Sequence, residues 1–147
     1  MKAFTALYTT IDQTTQTSKK VAALARYFDE APAADRLWTI ALFSGRRPRR
    51  AITTTRLREW AAERAGIPLW LFEESYPIVG DLAETIALVL PDPEARHDDD
   101  LATWIARLRA LDTADEPARK AAILDAWNRM APLERLAYDQ RAAWCQF

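Results

Sequence analysis

Apolar residues recur along most of this chain at intervals of three and four, the spacing that places them on one side of an α-helix. The most regular run is Leu101, Trp104, Ile105, Leu108 and Leu111. Alanine is abundant and only three glycines occur, which favours helix over strand. The pattern predicts an all-α fold, a single-domain bundle of about eight or nine helices.

The first predicted boundary is a polar run at residues 14–18 that separates two helices. Thr17 or Ser18 would cap the second helix, because a hydroxyl oxygen can accept a hydrogen bond from a free backbone N–H group. The apolar stripe predicted for this helix is Val21, Leu24, Ala25 and Phe28.

The third predicted helix opens with Pro32 and Asp35 and ends at Gly45, which can take the left-handed conformation found at helix C-termini. Its central residues are almost all apolar, so we expect a buried helix. The residues that carry this expectation are Leu37, Trp38, Ile40, Ala41 and Leu42.

Three later boundaries rest on single residues or short runs. The run Thr53 to Thr55 would cap a fourth helix, and Gly66 would end it. Pro77 cannot donate a backbone hydrogen bond, so the fifth helix should kink or end near residues 75–76. Asp81 is placed to cap a sixth helix.

Length and charge narrow the class of protein. At 147 residues, half of them apolar, the chain can form one domain with its own core. Its net charge is only −1, although five acids lie close together from Asp92 to Asp100.

Cys145 is the only cysteine and His97 the only histidine, which excludes an intrachain disulfide and argues against a zinc site. With no signal-peptide pattern and no long apolar run, we expect a cytoplasmic protein.

Positive charge concentrates in Ser44-Gly45-Arg46-Arg47-Pro48-Arg49-Arg50, which we call the arginine segment. Four guanidinium groups lie within five positions, and the planar fork of arginine suits phosphate oxygens. The glycine and the proline predict a tight loop. The segment therefore predicts an anion-binding site, with a solvated surface turn as the open alternative.

Other residues extend the predicted anion-binding set. Arg56 and Arg58 follow the arginine segment with no carboxylate between. Lys20 lies at the start of a helix, where the macrodipole favours an anion. Gly80 and Asp81 open a helix whose N–H groups can bind phosphate. For Lys20 and for the Gly80–Asp81 turn, a solvated lysine and a plain cap remain open alternatives.

No catalytic constellation stands out. Glu73 and Glu74 are adjacent in a predicted helix, so their side chains point about 100° apart and a joint acid–base role is disfavoured. The six tryptophans mostly fall on apolar helix faces, which predicts packing residues rather than base-stacking platforms.

Four stretches together resemble one known family. They are residues 20–28, the arginine segment, residues 71–76 and residues 76–87. Over about residues 1–138 the chain resembles the N-terminal DNA-binding domain of bacterial ATP-dependent DNA ligases. The resemblance implies an all-helical domain that grips the minor-groove side of nicked duplex DNA through backbone contacts and helps the catalytic domains encircle the nick.

The resemblance also implies a site and partners. Residues 1–147 would be the DNA-binding domain of a longer, monomeric ligase that serves DNA replication, recombination and repair. Its partners would be duplex DNA near nicks and the catalytic domains of the parent enzyme, with no membrane. The implied DNA-binding residues are Lys20, Ser44, Gly45, Arg46, Arg47, Arg49, Arg50, Arg56, Arg58, Gly80 and Asp81.

Two features depart from the family pattern. The family continues into a glycine- and arginine-containing hairpin that also touches DNA, whereas this chain ends at Phe147. The ligase nucleophile is a lysine in a Lys-x-Asp-Gly motif, and none of the four lysines here begins one. The expected cofactors, ATP and Mg²⁺, would belong to the parent ligase and not to this chain.

Two other functions stay open on the sequence. The chain could be a helical protein-interaction module whose arginine segment docks an acidic partner, or a small helical protein unrelated to ligases.

Overall fold

The computed structural model describes residues 1–46 and 52–143. These described residues form nine α-helices, one short 3₁₀ turn and no strand, so the predicted all-α single-domain bundle of eight or nine helices is confirmed. The helices are α1 (Lys2–Gln13), α2 (Thr17–Glu30), α3 (Ala33–Phe43), α4 (Thr54–Ala65), α5 (Leu69–Val79), α6 (Leu82–Val89), α7 (Leu101–Ala110), α8 (Glu116–Arg129) and α9 (Pro132–Ala143); the 3₁₀ turn is Leu111–Thr113.

The helices gather into two compact units. The first unit holds residues 1–46 and 98–107, and the second holds residues 52–97 and 108–143, counting described residues only. The first seven residues of α7 therefore belong to the first unit and the last three to the second. Each unit has its own buried core.

The first unit is held by an apolar cluster drawn from four helices. Two buried polar side chains beside it are paired: the Thr39 hydroxyl donates to the hydroxyl of Tyr27 at 3.0 Å, and Asp35 accepts the backbone N–H groups of Leu101 at 3.1 Å and Ala102 at 2.9 Å. Asp35 thus caps the start of α7 from a different helix. The apolar cluster consists of Phe4, Leu7, Tyr27, Ala31, Leu42, Leu101 and Ile105.

The apolar stripe predicted for α2 is wrong at two of its residues. Val21 is 58% exposed and Ala25 is also exposed, whereas Tyr27 is buried. The inner face of α2 is rotated toward Leu24, Tyr27 and Ala31, because the phenol ring adds a large apolar area and its hydroxyl finds Thr39.

The expectation that α3 is a buried helix is also wrong. Leu37 is 70% exposed and Ile40 is 52% exposed. The side of α3 that faces the core carries Asp35, Thr39 and Leu42, all buried. Two of these side chains are polar, and their hydrogen bonds to α2 and α7 offset the free-energy cost of burying them.

The second unit is built around α6, which packs against α4, α5 and α9. The apolar face of α4, with Leu57, Trp60 and Ala61, is buried, and so is that of α8, with Ile123, Ala126 and Trp127. Leu133 of α9 is exposed. The buried residues of this core include Leu57, Trp60, Ala61, Phe72, Leu82, Ile86, Ile123, Ala126, Trp127, Met130 and Ala137.

A polar cluster lies inside the second unit. Asp139 is fully buried, and both of its carboxylate oxygens accept the indole N–H of Trp127, at 2.8 and 3.0 Å. The buried Arg135 donates from Nε to the backbone carbonyl of Trp127 at 2.9 Å. Burial raises the pKa of the Asp139 carboxyl to about 8, against the opposing effects of the indole hydrogen bond and the Arg135 charge.

Predicted helix ends are confirmed where a local hydrogen bond defines them. The Thr53 side chain accepts the N–H of Arg56 at 3.4 Å, and Asp81 accepts the N–H of Glu84 at 2.8 Å. Gly66 ends α4 in the left-handed conformation. These caps depend only on residues three positions apart, which the sequence displays directly.

Two predicted helix ends are wrong. The N-cap of α2 is Gln16, without a side-chain hydrogen bond, and Thr17 is already helical. Helix α5 does not end near residues 75–76 but continues through Pro77 to Val79 and ends at Gly80, and the alternative of a kink stays a prediction. Only the last turn of α5 follows the proline, so the proline costs the helix few backbone hydrogen bonds. The N–H of Gly80 closes this turn by donating to the carbonyl of Tyr76 at 2.8 Å.

The tryptophans divide in two. Trp60, Trp104 and Trp127 are buried, as expected of packing residues. Trp70 on α5 is 65% exposed, so the packing role does not extend to it. Trp38 on α3 is half-buried and packs against the apolar cluster of the first unit, and Trp144 lies outside the described residues.

Candidate nucleic-acid interface

The arginine segment leaves α3 through a defined helix end. Gly45 has a φ of +76°, and its N–H donates to the carbonyl of Leu42 at 3.2 Å. The N–H of Arg46 donates to the carbonyl of Ala41 at 3.0 Å. This pair of bonds is a Schellman motif, which needs a left-handed residue at the glycine position. The motif fixes the direction of the backbone at Ser44, Gly45 and Arg46. All three residues are exposed.

The remaining arginines of the segment, Arg47, Arg49 and Arg50, lie outside the described residues, as does Pro48. Their predicted tight loop and phosphate contacts stay predictions. Arg46 is the one guanidinium of the four whose surroundings are described, and no ion pair involves it within residues 1–46 and 52–143.

Lys20 belongs to the first unit and lies in the first turn of α2. Its backbone N–H donates to the carbonyl of Gln16 at 3.2 Å, and its side chain is half-buried. Among the described residues, no carboxylate forms an ion pair with the Lys20 ammonium. The first turn of α2 also holds no acid, so its partial positive charge is not offset locally.

An acidic pocket of about 270 Å³ occupies another part of the first unit. Its lining includes the carboxylates of Glu30, Asp98 and Asp100 beside the rings of Phe4 and Tyr27. Carboxylates at that density repel phosphate, so this pocket is not a candidate for a DNA contact.

Arg56 belongs to the second unit and already forms ion pairs with two carboxylates. Its Nη1 lies 2.8 Å from Glu59 on the same helix, and its Nε lies 3.1 Å from Glu116 at the start of α8. The hydrogen bond to Glu59, followed by the charges of Glu116 and Glu59, raises the pKa of Arg56 above its ordinary value. This arginine is exposed, but its charge is compensated within the second unit.

Arg58 is likewise engaged. Its Nη1 lies 3.3 Å from the carboxylate of Glu73, and its guanidinium carbon lies 5.2 Å from the ring centre of Tyr76 on α5. The arginine therefore joins α4 to α5 by an ion pair and a cation–π contact. Its Nε is buried and has no hydrogen-bond partner among the described residues. The prediction that Arg58 simply extends a positive surface misses this structural role.

Gly80 and Asp81 form the turn into α6. Gly80 has a φ of +89°, which suits a residue without a Cβ atom. The Asp81 carboxylate caps the helix, and its backbone carbonyl accepts the Thr85 hydroxyl at 2.7 Å. Glu84 adds a second acid to the first turn. These two carboxylates occupy the helix end that would otherwise attract phosphate. The predicted DNA contact at Gly80 and Asp81 stays a prediction.

The carboxylate pair considered for catalysis has two different environments. Glu73 is bound to Arg58, whereas Glu74 is exposed. Among the described residues, no group of three His, Cys, Asp or Glu side chains is arranged to hold a metal ion. None of the helices described is both long and apolar enough to cross a membrane.

Sequence reasoning missed the partners of Arg56 and Arg58. The bond from Arg56 to Glu59 has a sequence signal, because residues three apart on a helix are neighbours. The contacts with Glu116 and with α5 have none, since they depend on how the helices of the second unit pack.

A comparison with known protein families shows the class of domain to which this chain belongs. A family model described as DNA ligase N terminus matches residues 1–137, so the chain belongs to that family. The resemblance to the N-terminal domain of ATP-dependent DNA ligases is thereby confirmed. No curated protein and no solved structure matches the chain.

Proposed function

We propose that this chain binds nicked duplex DNA without regard to base sequence and positions the nick for a ligase catalytic core that lies outside residues 1–147. The observation that carries the proposal is the arginine segment, whose four guanidinium groups follow a helix end fixed by Gly45. Membership of the DNA ligase N-terminal family supports it.

The chemistry of the task fits arginines better than base-reading side chains. A ligase must act on nicks in any sequence, so its grip should come from phosphates, whose positions carry no base identity. Arg46 has no competing carboxylate among the described residues. We therefore assign the direct phosphate contacts to Arg46, Arg47, Arg49 and Arg50.

The other implied residues take different places in the proposal. Lys20 is proposed as a separate phosphate contact, because its helix start carries no acid. Arg56 and Arg58 would have to exchange a carboxylate for a phosphate, so we assign them to support of the second unit. We leave Gly80 and Asp81 out of the contact set, since the turn they form carries two acids.

Catalysis and cofactors are proposed to lie elsewhere in the parent enzyme. None of the four lysines begins a Lys-x-Asp-Gly motif, so residues 1–147 lack the nucleophile expected of an ATP-dependent ligase. ATP and Mg²⁺ would bind to that enzyme's catalytic core, and this chain would contribute binding energy that holds the nick in place.

The test replaces all four arginines of the segment with alanine. The variant should lose most of its affinity for random-sequence duplex at about 50 mM salt. Its thermal midpoint should stay nearly unchanged, because the proposal requires these arginines to be accessible to DNA, and accessible arginines contribute little to folding. The matched control replaces Arg26 and Arg96, two exposed arginines elsewhere, and should bind as the parent does.

Two results would reject the assignment. If the quadruple variant binds duplex as tightly as the parent, the arginine segment is not the DNA contact. If the parent itself shows no binding at about 50 mM salt, a role in docking an acidic protein replaces DNA binding.

A further inference from the structure

One side of α3 carries exposed aliphatic side chains. Leu37 is 70% exposed and Ile40 is 52% exposed. At 100° per residue these two side chains lie about 60° apart around the helix, and each lies about 140° or more from the buried Leu42. Residues three apart on a helix are neighbours, so Leu37 and Ile40 form one continuous apolar surface.

This apolar surface leads directly to the arginine segment. The N–H of Ser44 donates to the carbonyl of Ile40 at 2.9 Å, so Ser44 continues the last turn of α3 and falls on the same side as Leu37 and Ile40. Along the helix axis, Ile40 lies about 6 Å and Leu37 about 10 Å from Ser44. Gly45 then sets the backbone direction of Arg46. We call Leu37, Ile40 and Ser44 the α3 surface.

The exposed part of α3 carries no negative charge. Its one acid, Asp35, is buried and accepts two backbone N–H groups of α7. Arg36 is exposed, and neither Leu37 nor Ile40 lines the acidic pocket of the first unit. Helix α3 therefore presents no carboxylate that would repel a polyanion held at the arginine segment.

Building on the proposed function, we propose that Leu37 and Ile40 contact deoxyribose rings of the duplex whose phosphates the arginine segment binds. The C–H groups of deoxyribose are the apolar surface that lies beside every phosphate, whatever the base. A ribose 2′-hydroxyl pressed against these side chains would lose water without gaining a hydrogen bond. The α3 surface therefore favours DNA over RNA.

The position of the α3 surface selects the duplex over other occupants. The major groove alone is about 12 Å wide, so Ile40 and Leu37 lie within the reach of a duplex bound at Arg46. A protein seated on the α3 surface would compete with that duplex. Thymine methyl groups are also apolar, but contact with them would make binding depend on base sequence.

The test measures the affinity of the 147-residue chain for random-sequence duplex DNA over a range of salt concentrations. Replacing Leu37 and Ile40 together with alanine should weaken binding by about 10-fold at every salt concentration. The slope of log affinity against log salt should stay that of the parent, because no phosphate contact is lost. Replacing both residues with methionine keeps the apolar area and should retain binding within about 2-fold.

A matched control and a second nucleic acid complete the test. The control replaces Leu88 and Leu133, two exposed leucines of the second unit, with alanine and should bind as the parent does. With duplex RNA, the parent and the variant with alanine at Leu37 and Ile40 should bind alike, because the lost contact is to deoxyribose. Circular dichroism melts should show that each variant is folded.

Four results would overturn the inference. They are equal affinity of the parent and the alanine variant for DNA, an equal loss of affinity for RNA, a loss confined to A·T-rich duplexes, and a parent that sediments as a dimer while the variant sediments as a monomer. The last two would assign the surface to thymine methyl groups or to a second copy of the chain.

Failure of the proposed function gives a different result. The parent would then show no binding to duplex DNA at about 50 mM salt, and the inference would be rejected with it. If the inference alone fails, the parent keeps its affinity and its salt slope, and only the expected loss in the alanine variant is missing.

Discussion

Asp139→Asn is the substitution that most directly probes the polar cluster of the second unit. The folded chain surrounds this carboxyl completely and raises its pKa to about 8. In the unfolded chain its pKa returns to about 3.9. The asparagine oxygen can still accept the indole N–H of Trp127, so the variant keeps an acceptor while it loses the titrating proton.

The sign of the effect follows from proton linkage. Between about pH 4 and pH 8 the folded state holds a proton at Asp139 that the unfolded state has lost. The free energy of unfolding therefore falls as pH rises, by up to about 1.4 kcal/mol per pH unit, and the contribution is gone above about pH 8. From about pH 5.5 to pH 8 the loss amounts to about 3 kcal/mol for a pKa shift of this size.

Urea unfolding at a series of pH values measures this directly. The parent should lose stability relative to Asp139→Asn as pH rises to about 8, and the two curves should run parallel at higher pH. Asp29→Asn, at an exposed position on α2, serves as the control and should keep the slope of the parent. Parallel curves for the parent and Asp139→Asn over the whole range would refute the assignment of a buried, protonated carboxyl.

Three further predictions concern local features. Asp81→Ala should lower stability by about 1 kcal/mol and Asp81→Asn by much less, because the amide oxygen can still cap α6; equal losses in urea titration would show that charge matters instead. Gly45→Ala should lower stability by about 1 kcal/mol because its φ is positive, and an unchanged unfolding midpoint would contradict this. Incubated with labelled ATP and Mg²⁺, the chain should take up no AMP, and covalent label that survives denaturation would contradict the absence of a ligase nucleophile.

The sequence predicts best what depends on neighbouring residues. The caps at Thr53 and Asp81 and the helix end at Gly66 need only a side chain or a glycine within three or four positions of its partner. The all-α class follows from the same local periodicity. For the candidate site, the concentration of arginines is visible in the sequence itself.

Packing between helices is what the sequence leaves open. The rotation of α2 that buries Tyr27 instead of Val21 depends on Thr39 from α3 as a hydrogen-bond partner. The neutralisation of Arg56 by Glu116 depends on the approach of α8 to α4. Such contacts join residues far apart in the chain, so neither periodicity nor spacing reports them.

The most direct test of DNA binding through phosphates is the salt dependence of the affinity of the parent chain for duplex DNA. If about four arginines neutralise phosphates, the logarithm of the affinity should fall with the logarithm of the salt concentration at a slope of about −3 to −4. Duplexes of unrelated sequence should give the same slope and affinity. A slope near zero, or affinity that depends on base sequence, would contradict the proposed function.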